Sequence, residues 1–307
     1  MNLDADPGAG DHRVGFIAVV GRPNAGKSTL FNAMMGLKVA IVSPKPETTR
    51  NRIVGVKTET DAQFVFLDTP GLHDPKGALS RRLVQTARTA LSEATVALLV
   101  VDCRAGTGQP ERDVAAMVGR SGTPTVVALN KMDMVRRSRL LPLMETLGAT
   151  FAASEIVPVS ARTGENVATV LGALRKLLPA GPRLYPEDTL TDQTERFITQ
   201  EMIREKVFEL THAEIPYASA VLTEEFRERE PRPGSAPVLY IEATILVARP
   251  SHKPILIGKG GQRLKEIGQQ AREELERFFD RRIFLQLHVK VEKGWDANPA
   301  VLRRVGV

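Results

Sequence analysis

The chain has 307 residues, 42% hydrophobic and 25% charged, with a formal net charge of +6 and a pI near 9.5. That length fits two average domains of ordinary globular composition, and the absence of any run of eighteen apolar residues excludes a membrane-spanning helix. A lone cysteine, Cys103, excludes an internal disulfide and fits a reducing cytosol.

The opening MNLDADPGAGDHR is acidic and glycine-rich with no apolar core, so residues 1–13 read as a loose tail and not a secretory signal. VGFIAVVG (14–21) is a short Val- and Ile-rich run, the pattern of a buried strand ending at Gly21. KSTLFNAMMG then reads as a helix stopping at Gly36. AQFVFLD (62–68), VALLVVD (96–102), TVVALN (125–130) and EIVPVS (155–160) are further strand candidates. Helical patterns over 77–93, 110–120, 136–148 and 165–178 lie between them. Such alternation implies a parallel sheet covered on both faces, with ligands at the carboxyl ends of its strands. Cys103 reads as a small buried residue at one such end.

The motifs fall at those ends. Gly21-Arg22-Pro23-Asn24-Ala25-Gly26-Lys27-Ser28 follows the first strand and opens a helix. Glycines let backbone N–H groups curl around phosphate oxygens, and the helix N-terminus adds its dipole. Lys27 would reach the β- and γ-phosphates and the Ser28 hydroxyl would hold Mg²⁺. Asp68-Thr69-Pro70-Gly71 ends the second strand candidate, offering a carboxylate for Mg²⁺ and a Gly71 N–H for a γ-phosphate. Asn130-Lys131-Met132-Asp133 follows TVVALN. Asp133 there can accept from the N1–H and amine of guanine, a donor pair that adenine lacks. Ser160-Ala161-Arg162 closes the last strand candidate, where a backbone N–H can meet guanine O6.

Residues 177–192, LLPAGPRLYPEDTLTD, hold three prolines and a glycine and read as a linker, bounded at 181–192 between the two domains. Beyond it, Phe197, Ile198, Met202, Ile203, Val207, Phe208 and Leu210 recur at helical spacing and read as core. PYASAVLTEEF and VLYIEATILVAR read as strands around a proline- and charge-rich loop, EREPRPGSAP. HKPILIG, a Gly258-Lys259-Gly260-Gly261 turn, a helix through about 279 and a strand RIFLQLHVKVEK follow. From residue 181 onward twenty basic and twenty acidic residues cancel, whereas 249–293 holds eleven basic and six acidic. The basic excess therefore gathers around the second glycine turn, although a solvated helix surface accounts for much of it.

The four motifs of the first half resemble the translation-factor-related branch of P-loop GTPases over about residues 14–180. The resemblance implies that Asn130 ties loops together, that the Lys131 stem packs on the base, and that SPKPETTRNRI (43–53) is the first switch. Thr48 and Thr49 are then both candidates for Mg²⁺ and γ-phosphate. Many such enzymes place a water-orienting glutamine where this chain has Leu72, which cannot polarise water. Asn24 stands where a potassium-using subgroup places an asparagine, implying a K⁺ cofactor beside Mg²⁺. The second half resembles a type II KH domain, whose G-x-x-G loop clamps about four unpaired nucleotides. It has no Ser or Thr for Mg²⁺. Glycines there allow an RNA backbone close to helix N–H groups, Ile255 and Ile257 would floor the bases, and Lys259, Arg263 and Lys265 would meet phosphates.

The combination resembles the Era family of bacterial ribosome-associated GTPases over essentially the full chain, on GFIAVVGRPNAGKSTL, TTRNRIVG, DTPGLH, FITQEMIREK, IPY, IGKGGQRLKEIG and VKVEKGW. It implies an α/β P-loop GTPase domain (14–180), a linker (181–192) and an α+β KH-containing RNA-binding domain (193–307). It also implies a slowly hydrolysing monomeric GTPase. Implied partners are GTP and GDP, the 3′ region of 16S rRNA and the 30S subunit, in the cytoplasm with peripheral association at the inner membrane face. A nucleotide-regulated membrane or cell-cycle adaptor is the alternative, which the intact GKGG turn disfavours. A dinucleotide-binding oxidoreductase fails, because no G-x-G-x-x-G follows the first strand. His12, His73, His212, His252 and His288 show no ligand-like spacing, and Trp295 reads as a packing residue.

Overall fold

The computed structural model describes residues 12–43, 45, 48–73, 78–106, 108–151, 153–229 and 237–306. The expected tail up to residue 11, part of the expected first switch, residues 74–77 and most of the loop at 228–237 lie outside them. The chain divides into two compact units, Met1–Asp192 and Gln193–Val307.

The first unit is built on six strands, β1 (Arg13–Gly21), β2 (Ile53–Thr58), β3 (Ala62–Asp68), β4 (Val96–Asp102), β5 (Thr125–Asn130) and β6 (Glu155–Pro158). Their order is β2-β3-β1-β4-β5-β6. All neighbours run parallel except β2, which pairs antiparallel to β3 with Ile53 opposite Asp68. Every residue of β3 and β5 is buried, as two-sided helix cover demands of near-continuous apolar strands. α2 (Ala78–Glu93), α3 (Gln109–Ser121) and α4 (Leu140–Thr150) close one face, where Val84, Leu91, Val114, Val118 and Leu147 meet Val20, Leu99, Val101 and Leu129. α1 (Lys27–Met35) and α5 (Val167–Leu177) pack together on the other. The strand at 53–58 is absent from the sequence-based expectations. IVGVKT begins inside the segment expected to be a polar switch, yet its first four residues are buried on β3.

The chain does not leave this unit at the end of α5. Residues 184–191 return along the sheet. Gln63, fully buried, accepts from Leu184 N (2.7 Å) and Tyr185 N (2.9 Å). It donates to Tyr185 O (2.8 Å) and to Thr58 Oγ1 (3.0 Å). Further on, Val56 N donates to Leu190 O at 2.9 Å and Thr191 Oγ1 to Val54 O at 2.6 Å. The outer edge of β2 is thus covered, which protects an exposed edge strand from pairing with another chain.

The second unit begins with α6 (Glu195–Leu210), capped by Thr194, whose side chain accepts from Phe197 N. Its sheet has the order β7 (Ser219–Arg229), β8 (Val238–Val247), β9 (Arg282–Val291), antiparallel then parallel. α7 (His252–Ile257) and α8 (Gln262–Phe279) lie between β8 and β9 in sequence. Ile203, Val207, Ile267 and Ala271 bury against Val221, Ala243 and Ile245. α6 also buries charges that apolar periodicity does not reveal: Arg204 pairs bidentately with Glu201, and Lys206 with Glu205, Glu209 and Glu274. A short α9 (Pro299–Arg304) ends the unit. Trp295 is fully buried and its Nε1 donates to Ala218 O at 3.0 Å, so it is a packing residue.

Gln63→Met keeps the volume of Gln63 but strands the N–H groups of Leu184 and Tyr185 in a buried setting. We expect a loss of about 1–3 kcal/mol in urea unfolding and faster amide exchange at Leu184 and Tyr185 than in the parent.

Candidate nucleotide and RNA sites

β1 delivers the chain at Gly21 and α1 takes it up at Lys27, so the loop 22–26 must reverse tightly. Asn24 (φ 62°) and Gly26 (φ 95°) are both left-handed. Gly26 has a second reason to be glycine: a Cβ there would lie 2.3 Å from Asn130 Nδ2. Asn130, at the end of β5, donates to Ala25 O (2.9 Å) and accepts from Ala161 N (3.0 Å). One side-chain amide thereby joins the phosphate loop to the 160–162 loop. Arg22 pairs with the buried Glu111 of α3.

Lys27 is buried and donates to Arg22 O at 3.0 Å. Burial lowers its ammonium to about 8, against the pull of the Asp68 charge. Asp68 is fully buried too, and burial pushes it up to about 6 against Lys27 and hydrogen bonds from Ser28, Thr49 and the Thr69 backbone. Ser28 Oγ donates to Asp68 Oδ2 at 2.7 Å. Thr49 Oγ1 is 2.9 Å from Ser28 Oγ and 3.4 Å from Asp68 Oδ2. Asp68 Oδ1 is buried with no hydrogen-bond partner among the described residues. Two hydroxyls and a carboxylate, one oxygen of it unused, are the hard donor set that Mg²⁺ takes. Thr48 points elsewhere, its hydroxyl donating to Lys45 O at 2.7 Å. Lys27, Ser28, Thr48, Thr49, Asn24 and Gly71 line one pocket.

Thr69 Oγ1 donates to Val19 O at 2.8 Å and fixes the end of β3 beside β1. Pro70 and Gly71 then carry the chain over Pro23, to which a Cβ on Gly71 would come within 2.7 Å. Motif spacing groups Leu72 with the phosphate contacts. Its side chain is instead buried in the core with Ala18, Val20 and Leu91, and only its backbone, N–H to Gly21 O at 2.9 Å, faces the loop.

Lys131 adopts φ 66° and its Nζ donates to Asn24 O (2.5 Å) and Asp102 Oδ2 (2.8 Å). Asp133 accepts from Ser160 Oγ at 2.7 Å and pairs with Arg162 at 2.5 Å. The Ser160 bond, then the Arg162 charge, hold its carboxyl below the usual range against burial. Met132 is buried between these loops. Of the 160–162 backbone N–H groups, one of which is expected at guanine O6, that of Ala161 is donated to Asn130. Asp102 is a site residue that the motifs do not name. Burial would raise it, but hydrogen bonds from Arg104 and Lys131 hold it at about 2. Its signal was present: it ends an apolar strand as Asp68 does.

In the second unit, Gly258 (φ 75°), Gly260 (φ 59°) and Gly261 (φ 80°) turn the chain from α7 into α8. Lys259 is exposed. Arg263 Nη1 donates to Ile255 O at 2.9 Å, so part of its guanidinium closes the turn. Ile255 is 43% exposed, Lys265 is exposed, Ile257 is half-buried, and Leu256 turns into the core.

The Asp68 shift carries a stability consequence. A carboxyl raised from 3.8 to about 6 adds stability that is complete below pH 4 and is lost as pH rises through 6. We expect nucleotide-free protein to lose on the order of 2–3 kcal/mol across that window, and Asp68→Asn to remove this part of the pH dependence in denaturant titrations.

A sequence model of a family described as a 50S ribosome-binding GTPase matches residues 16–131, and one of the KH domain matches 214–296. The GTPase Era of Syntrophus aciditrophicus (strain SB) is 46% identical over 292 residues, 95% of this chain and 94% of that protein. That of Geotalea daltonii is 42% identical over 95% of this chain and 97% of its own. A crystal structure of Era in complex with MgGDPNP and nucleotides 1506–1542 of 16S ribosomal RNA is similar at TM-score 0.92 and 40% identity, covering 96% of this chain and 99% of that one. A point variant of Aquifex aeolicus Era bound to GDP·AlF4⁻ gives 0.91 and 40% over the same shares. With both motif sets placed as described and such identity over nearly its whole length, the chain belongs to the Era family of GTPases.

Proposed function

We propose that this protein is a nucleotide-gated RNA-binding GTPase that takes the 3′ region of 16S rRNA on its GKGG turn and assists maturation of the 30S subunit. The observation carrying this reading is the pairing, in one chain, of a phosphate loop with Ser28 and Asp68 and a second glycine turn with an exposed lysine and no metal ligand. The 40% identical relative solved with MgGDPNP and 16S nucleotides supports both halves. The family description names the 50S ribosome but matches only residues 16–131. We therefore favour the small subunit, whose RNA accompanies a relative matched across both units.

In this reading, loop N–H groups and Lys27 hold the β- and γ-phosphates. Ser28, Asp68 and Thr49 hold Mg²⁺, which would neutralise charge between the phosphates. Thr49 is preferred over Thr48 because its hydroxyl lies beside Ser28. Asn24 would bind K⁺ from within the phosphate pocket. Because Leu72 is buried, no side chain at that position orients water, and intrinsic hydrolysis is slow. Guanine would take the place of Arg162 at Asp133. Peripheral association with the inner membrane face belongs to the same reading through family membership; no helix among the described residues is long and apolar enough to cross a membrane.

Lys259→Asp with Gly260→Asp tests the RNA half. Gly260 has open space for a side chain, whereas a Cβ on Gly258 would press within 2.8 Å of Arg263. We expect tight binding of an RNA with the 16S 3′ end, favoured by a GTP analogue over GDP, weakening between about 50 and 200 mM salt, and abolished by the double change. Binding no better than to random RNA, and indifferent to nucleotide, refutes the reading. Asp133→Asn exchanges an acceptor for a donor. Guanine nucleotide affinity should fall roughly 100-fold or more while xanthine nucleotides gain, in equilibrium titration.

A further inference from the structure

We propose that His73 is a positioning residue for GTP hydrolysis. It would act by locking the Gly71–Leu72 peptide and joining it to the first turn of α2; the inference rests on the GTPase reading above. Its ring holds two bonds: Nδ1 lies 2.8 Å from Gly71 O and Nε2 2.7 Å from Ser80 Oγ. A carbonyl oxygen only accepts, so Nδ1 carries a proton and donates to Gly71 O, while Nε2 is held by the Ser80 hydroxyl. Ser80 is itself buried near the start of α2.

The geometry fixes one peptide group from both ends. Leu72 N–H donates to Gly21 O of the phosphate loop, and Gly71 C=O accepts from His73. The Leu72 side chain anchors the same point in the core. Gly71 has the freest backbone of any residue type, yet its carbonyl side is immobilised, and Pro23 lies so near that a Cβ on Gly71 would come within 2.7 Å of it. The Gly71 N–H, the group assigned to the γ-phosphate, is attached to the Cα at the edge of that locked plane. A donor held in advance requires no reorganisation when charge develops on the phosphate. Both ring nitrogens are taken, so His73 acts through Gly71 and not on water. Leu72 and His73 then divide one task. The first removes a side chain from the water's side, and the second stiffens what remains.

The test is GTP turnover and GDP affinity of the full chain in five forms: parent, His73→Ala, Ser80→Ala, the double variant and His73→Asn. We expect His73→Ala to lower kcat about 10-fold, a fraction of the ~100-fold that a 1 Å misplacement costs, with KM and GDP affinity held within about twofold. Ser80→Ala should lower kcat less, and the double variant no further than His73→Ala, because the two act as one unit. Asparagine, with one donor and one acceptor, should recover part of the loss. Unchanged kcat in His73→Ala, or an equal loss of GDP affinity and thermal stability, overturns the inference. A parent protein without turnover overturns the GTPase reading as well.

Discussion

The nucleotide end of the first unit depends on the side-chain amide of Asn130. Its two polar atoms face opposite ways, one donating to Ala25 O and the other accepting from Ala161 N. The strand that presents it is wholly buried, so the amide has no freedom to seek other partners. Gly26 must lack a side chain for the amide to reach. Lys131, one residue on, then bridges Asn24 O to Asp102. Three loops on separate strands become one rigid rim through two consecutive side chains.

Within that rim two opposite charges are buried at a cost. Lys27 is drawn toward its neutral form and Asp68 toward its protonated one, and their mutual attraction does not reverse either shift. Burial outweighs pairing here, as it does for many buried ion pairs. In the proposed reading a triphosphate would answer the lysine and a divalent cation the carboxylate, so the polar misfit of the bare site would be matched to a charged ligand. The second glycine turn shows the contrary design. Its Lys259 is exposed, suited to a polyanion that arrives and leaves with salt.

Much of this was legible in the residues. The strands β1, β3, β4 and β5 could be read because buried parallel strands are nearly continuous apolar runs, and the motifs because phosphate and guanine chemistry restricts residue choice at fixed spacing. β2 was not legible. Its IVGVKT follows Thr48–Arg52 without a turn signal, and only pairing to β3 reveals it. Leu72 was misplaced for a related reason: spacing names a position in a motif but not which way its side chain points. The Arg22–Glu111 pair and the His73–Ser80 bond join residues far apart in sequence or across a loop, and no local pattern encodes them; Asp102 carried a strand-end signal, but its partner Lys131 did not follow from it. The charged face of α6 was hidden because Glu201, Arg204 and Lys206 look like a solvated surface until their partners are seen.

The return of residues 184–191 along β3 and β2 changes what the proline-rich segment is. Read from composition, it is a tether of a dozen residues, which as a flexible coil would span roughly 20 Å and wander widely. Held by Gln63 at Leu184 and Tyr185 and by β2 at Leu190 and Thr191, it has almost no slack. Residues 192–194 lie between the Thr191 anchor and the first turn of α6. That anchor is on the strand which begins four residues after Thr49. The proline-rich segment is therefore a strap of the first unit, tied next to the loop that carries Thr49.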